Sequence, residues 1–86
     1  MAPNKARQAV CIRVARILQD ERLKRRLSMT LVAERAGLSQ QMVSYVERGM
    51  RLPTLDTLLR ICEAIGIELE DVIHQAQHGS ATPTRR

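Results

Sequence analysis

Eighty-six residues make one small domain with a single core, and the chain carries no insertion of the kind that frames a catalytic cleft. No apolar run approaches the roughly 18 residues of a membrane span, and no basic, apolar leader opens the chain, so neither a membrane segment nor a secretion signal is expected and the cytoplasm is the expected compartment. The formal net charge of +5 suits an anionic partner, though its distribution says more than its total.

In chain order, Met1 to about Lys5 contains Pro3 and shows no pattern, so residues 1–5 are expected to be a loose end and residues 6–78 the folded domain. From there to Arg26, Val10, Val14, Ile17 and Leu18 recur at helical spacing, while Arg7, Arg13, Arg16, Asp20, Lys24 and Arg25 fall largely outside that stripe. Leu23 and Leu27 continue the apolar contribution where this first helix ends. Arg25 and Arg26 suit a C-terminal end with unpaired carbonyls, a reading preferred to a phosphate contact next to the start of helix 2.

The stretch Leu27–Gly49 is the organising element. Ser28 can cap a second helix, because its hydroxyl can accept from the N–H of Thr30 or Leu31, and Leu31, Val32, Ala33 and Ala36 give that helix an apolar face. Gly37 ends it, since the residue past a helix often takes positive φ, and Leu38 then returns to the core. Ser39 is a second cap. In the third helix, through Arg48, Val43 and Val46 share one face while Gln40, Gln41, Ser44, Tyr45 and Arg48 share the other.

Gly49 and Pro53 bracket a loop, and Thr54 caps a fourth helix whose expected stripe is Leu55, Leu58, Leu59, Cys62 and Ile65. Gly66 stops it. A fifth helix, about Leu69 to Gln77, places Leu69, Val72, Ile73 and Ala76 at spacings of three and four. Residues 79–86 are Gly, Ser, Ala, Thr, Pro and Arg, a composition expected to remain a flexible tail. The fold class is therefore all-α, with five helices.

Charge follows this division. Residues 1–54 hold eleven Lys/Arg against Asp20, Glu21, Glu34 and Glu47, a balance of +7, whereas residues 55–84 hold Arg60 against Asp56, Glu63, Glu68, Glu70 and Asp71, a balance of −4. A phosphate-facing surface needs the first property, and a surface turned away from DNA tolerates the second.

The run Ala33, Gly37, Leu38, Ser39, the run Val43 to Gly49, and the run Pro53 to Leu59 together resemble the helix-turn-helix of the Xre, Cro and CI family of phage and bacterial repressors, over about Val14 to Ile73. The resemblance implies a compact lambda-repressor-like domain with the helix-turn-helix formed by helices 2 and 3, and the helix over 39–48 entering the major groove of double-stranded DNA. Gln40 and Gln41 open that helix, and a glutamine amide, which donates and accepts at once, matches the edge of adenine. Ser44 and Tyr45 complete the expected base-reading set, and Ser28, Arg48, Arg51 and Thr54 are the expected phosphate contacts. Met29 stands where the family often carries a glutamine that reaches a phosphate, leaving the backbone N–H groups there. Arg22 and Glu47 fall where these repressors place a buried ion pair tying helix 1 to helix 3.

A single helix-turn-helix reads only a few base pairs, so a homodimer on a palindromic operator is expected, with Val72, Ile73 and Ala76 of helix 5 as the shared patch. The function expected is that of a transcription regulator, a repressor by resemblance. The competing reading is an antitoxin or adaptor whose main ligand is a partner protein, with DNA binding for autoregulation. An enzyme is not expected, because no nucleophile–base pair, paired carboxylates or glycine-rich phosphate loop is present. No cofactor or metal is expected either. His74 and His78 lie four apart without a third or fourth ligand, and Cys11 and Cys62, without a C-x-x-C motif, read as small buried hydrophobes.

Overall fold

The computed structural model describes residues 3–78, so Met1, Ala2 and the tail expected over 79–86 lie outside the described residues. The described chain forms five helices and no strand: α1 Pro3–Lys24, α2 Met29–Ala36, α3 Gln40–Glu47, α4 Leu55–Ile65 and α5 Leu69–His78. The core lies where α1 packs on α5 and α3, and α2 on α3 and α4.

α1 starts at Pro3, inside the stretch expected to be loose. Proline suits a first turn because its missing N–H would have no intrahelical partner there. The helix stops at Lys24, short of Arg26, which turns left-handed at φ 59°. Val14, Ala15, Leu18 and Arg22 face inward, and Arg13 Nε donates to the Ala76 carbonyl at 2.6 Å, fastening α1 to α5. Leu23, expected to extend the apolar face, is instead exposed. With Leu18 and Arg22 one turn apart on the inward stripe, its position lies about 100° away from Arg22 on the helix.

α2 is capped as its sequence suggests, with Ser28 Oγ accepting from the Leu31 N–H at 3.0 Å. It ends at Gly37, at φ 71°, where the Gly37 N–H donates to Glu34 O at 3.3 Å and the Leu38 N–H to Ala33 O at 2.9 Å. Two features favour glycine there. The positive φ is one, and the other is that a Cβ would stand 3.1 Å from Arg60 Nη1. That same Nη1 donates to the Ala36 carbonyl at 3.1 Å, while Arg35 Nη1 donates to the Ala64 carbonyl at 3.2 Å. α2 and α4 thus satisfy each other's C-terminal carbonyls, which no longer have partners within their own helices.

In α4, capped by Thr54, the buried stripe is Ile61, Cys62, Ala64 and Ile65, with Leu58 half-buried beside it. This corrects the expected stripe. With Ile61 facing inward, Leu55 and Leu59 fall to one flank and are 65% and 44% exposed. Burial pushes the Cys62 thiol up to about 11, with a smaller push from the charge of Glu68, so Cys62 is a neutral core side chain at neutral pH. Cys11 does not follow that pattern and lies exposed on α1.

α5 departs furthest from expectation. Val72 and Ala76, expected in a shared patch, are 2% and 0% exposed. They close the domain's own core against α1, because a core this small takes its last wall from the terminal helix. Ile73 is half-buried against the same cluster. No described helix is long and apolar enough to cross a membrane.

Candidate nucleic-acid interface

Arg22 and Glu47 meet inside the domain. Arg22 Nε donates to Glu47 Oε2 at 2.7 Å and Nη2 donates to Oε1 at 3.0 Å, a two-pronged pair with both residues buried. Arg22 Nη1 also donates to the Leu27 carbonyl at 2.8 Å. One guanidinium therefore holds the end of α1, the loop into α2 and the end of α3 together. This fixes the angle at which α3 is presented.

On α3, Val43, Val46 and Glu47 point inward, Gln40, Gln41 and Arg48 are exposed, and Ser44 and Tyr45 are half-buried. Ser39 Oγ accepts from the Met42 N–H at 3.0 Å and so starts the helix. Each glutamine amide is already half engaged. Gln40 Oε1 accepts from Thr30 Oγ1 at 3.2 Å, which leaves the Gln40 NH2 group as a donor. Gln41 Nε2 donates to the Tyr45 hydroxyl at 2.7 Å, which leaves the Gln41 carbonyl oxygen as an acceptor and the Tyr45 proton free to donate. Thr30 is a member of this surface that sequence reasoning misses. A hydroxyl in the first turn of α2 carries no signal of a partner ten residues away in the chain.

At the exit of α3, the Arg48 and Arg51 guanidinium carbons lie 6.0 and 5.6 Å from the centre of the Tyr45 ring. Both arginines are exposed, and neither has a carboxylate partner among the described residues. The aromatic face holds two cations near one another without neutralising them. Ser28 is exposed at the start of α2 and keeps its hydroxyl proton, whereas Thr54 donates to Thr57 Oγ1 at 3.0 Å while accepting from the Thr57 N–H. His74 and His78 stack on α5 with ring centroids 4.2 Å apart, away from these residues in sequence and on another helix.

A second exposed feature adjoins this surface. Met50, Leu52 and Leu55 stand out from the α3–α4 loop and the first turn of α4, with Leu59 one turn further on. Sequence periodicity assigns Leu55 and Leu59 to the core and gives no role to Leu52, which is 78% exposed.

Two capped helices joined by a glycine turn, with exposed amides on the second and unneutralised arginines at its exit, define a helix-turn-helix DNA-binding domain. The helix-turn-helix family profile matches residues 18–72, and the chain belongs to that Xre-like family of DNA-binding transcription regulators, which are not enzymes. Over 53 residues, 62% of its length, it is 38% identical to an uncharacterised HTH-type transcriptional regulator of Mycobacterium tuberculosis, and it spans 38% of that longer relative. Over 54 residues, 60% of its length, it is 39% identical to an uncharacterised HTH-type transcriptional regulator of Sinorhizobium fredii, of which it covers 70%. Among solved structures it is similar to the restriction-modification controller protein C.AhdI from Aeromonas hydrophila, with a TM-score of 0.69 and 29% identity over 72% of this chain and 94% of that one.

Proposed function

We propose that this chain is a cytoplasmic, sequence-specific regulator of transcription, a repressor that binds a palindromic operator in double-stranded DNA as a homodimer, with residues 39–48 in the major groove. The observation that carries the reading is the pair of exposed amides at the start of α3, each held by a neighbour so that one polar end remains available. A fixed donor at Gln40 suits the acceptors of guanine or thymine, and a fixed acceptor at Gln41 suits the amino groups of adenine or cytosine. Ser44 lies one turn on, and Tyr45 contributes its hydroxyl proton. Arg48 and Arg51 grip phosphate from the α3 exit, with Ser28 at the α2 start and Thr54 at the α4 start on the same backbone. The similarity to a restriction-modification controller protein supports a regulatory role.

The homodimer forms on the flank of α4 rather than on α5. Leu52, Leu55 and Leu59 give an exposed apolar surface, which a two-fold axis can cover by bringing the patch against itself.

Replacing Gln40 or Gln41 with alanine is expected to weaken binding to the selected operator by about 1 to 3 kcal/mol per site while leaving affinity for mixed-sequence duplex nearly unchanged. Fluorescence anisotropy against both duplexes measures the difference. Equal losses on the two would remove the amides from the reading surface.

A further inference from the structure

The geometry points to Arg26 as a DNA-contact residue: we propose that its guanidinium grips a backbone phosphate beside the start of α2, an inference that rests on the DNA-binding reading above. α1, α2 and α3 end on the same pair of hydrogen bonds, in which a left-handed residue donates three positions back and the next residue donates five positions back. At α2 and α3 that residue is Gly37 or Gly49, at φ 71° and 70°. At α1 it is Arg26, at φ 59°, donating to Leu23 O at 3.0 Å, with Leu27 donating to Arg22 O at 3.0 Å. Arg26 is the only non-glycine residue with positive φ among the described residues. A side chain with a Cβ costs stability in this conformation, and glycine would serve the turn better.

Nothing inside the domain repays that cost. Arg25 and Lys24, the neighbouring cations, both pair with Glu21, whereas the Arg26 side chain is exposed and has no carboxylate or hydrogen-bond partner among the described residues. Its position is nonetheless fixed. The Leu27 carbonyl is held by Arg22, whose guanidinium is locked to Glu47 at the end of α3, and Thr30 is hydrogen-bonded to Gln40 at its beginning. The loop around Arg26 is therefore pinned along α3 from both ends. Ser28 and Met29 bring no charge there, so Arg26 is the unneutralised cation of the α1–α2 loop, as Arg48 and Arg51 are of the α3 exit.

The test uses three chains, wild type, Arg26→Gly and Arg26→Lys, a fluorescein-labelled mixed-sequence duplex about two helical turns long, and thermal unfolding of each protein. Arg26→Gly is expected to raise Tm by a few degrees. The same change is expected to weaken duplex binding roughly fivefold to tenfold near 0.1 M salt and to flatten the slope of log affinity against log salt by about 0.9 for each phosphate left without its cation. Arg26→Lys keeps the charge and is expected to retain most of the affinity and the slope. An Arg26→Gly protein that binds as tightly as wild type with the same salt slope overturns the proposal while leaving the DNA-binding reading intact. A lower Tm for that variant also overturns it, by making Arg26 a structural residue. Failure of the wild type to bind any duplex at low salt overturns both.

Discussion

Replacing Arg22 or Glu47 alone with an apolar residue is expected to cost about 3 to 5 kcal/mol, because each change leaves the other charge buried without its partner. Glu47 is 4% exposed and has no water-facing route to relieve an unpaired carboxylate; Arg22 is 6% exposed and would lose both prongs at 2.7 and 3.0 Å. A domain of this size has about 5 to 15 kcal/mol of total stability, so each single variant forfeits a large share of it. The pair Arg22→Met with Glu47→Leu removes both charges together and is expected to cost far less than the sum. Recovery is incomplete, because the Leu27 carbonyl still loses its 2.8 Å donor. A double-mutant cycle by urea unfolding measures the coupling, and losses that add within roughly 0.5 kcal/mol would show that the two side chains do not interact.

Leu55→Asp is expected to leave a folded monomer whose affinity for the selected operator falls by about a hundredfold or more, since the second half-site is no longer held at high effective concentration. The contrast with α5 sharpens the expectation. Leu55 is 65% exposed, so a carboxylate there meets water in the monomer, whereas Val72 is 2% exposed and Val72→Asp is expected to abolish folding. Analytical ultracentrifugation separates the cases. An interface of ordinary strength is mostly formed at tens of micromolar, so a wild-type chain that sediments as a monomer there, or a Leu55→Asp chain that remains a dimer, removes α4 from the interface.

What can be read in the sequence is local. Ser28, Gly37, Ser39, Thr54 and Gly66 mark helix ends through chemistry confined to a few residues, and the helices begin and end beside them. Periodicity is less informative, because it shows which face of a helix is apolar and not what that face packs against. Val72 and Ala76 look like spare apolar surface until α1 is seen lying over them, and Leu55 and Leu59 look like core until Ile61 is seen taking the inward place. Arg26 is legible as a helix-end residue, and only its backbone conformation is hidden. A left-handed helix end is recognised by its glycine, and here the glycine is missing while the turn is kept. The half-engaged amides depend on side-chain placement, since Thr30 reaches Gln40 only once the turn at Gly37 has folded α2 against α3.

Selection of bound fragments from random duplex DNA by the wild-type chain tests the central claim most directly. Two symmetric half-sites are expected to emerge, their centres about 10 base pairs or one helical turn apart, because two copies of α3 held by a two-fold axis must enter successive major grooves on one side of the duplex. Repeating the selection with the Gln40→Ala chain is expected to relax the preference at one position within each half-site and leave the spacing unchanged. Recovery of fragments with no shared sequence, from a wild-type protein that is folded and binds duplex at low salt, would contradict sequence-specific recognition by α3.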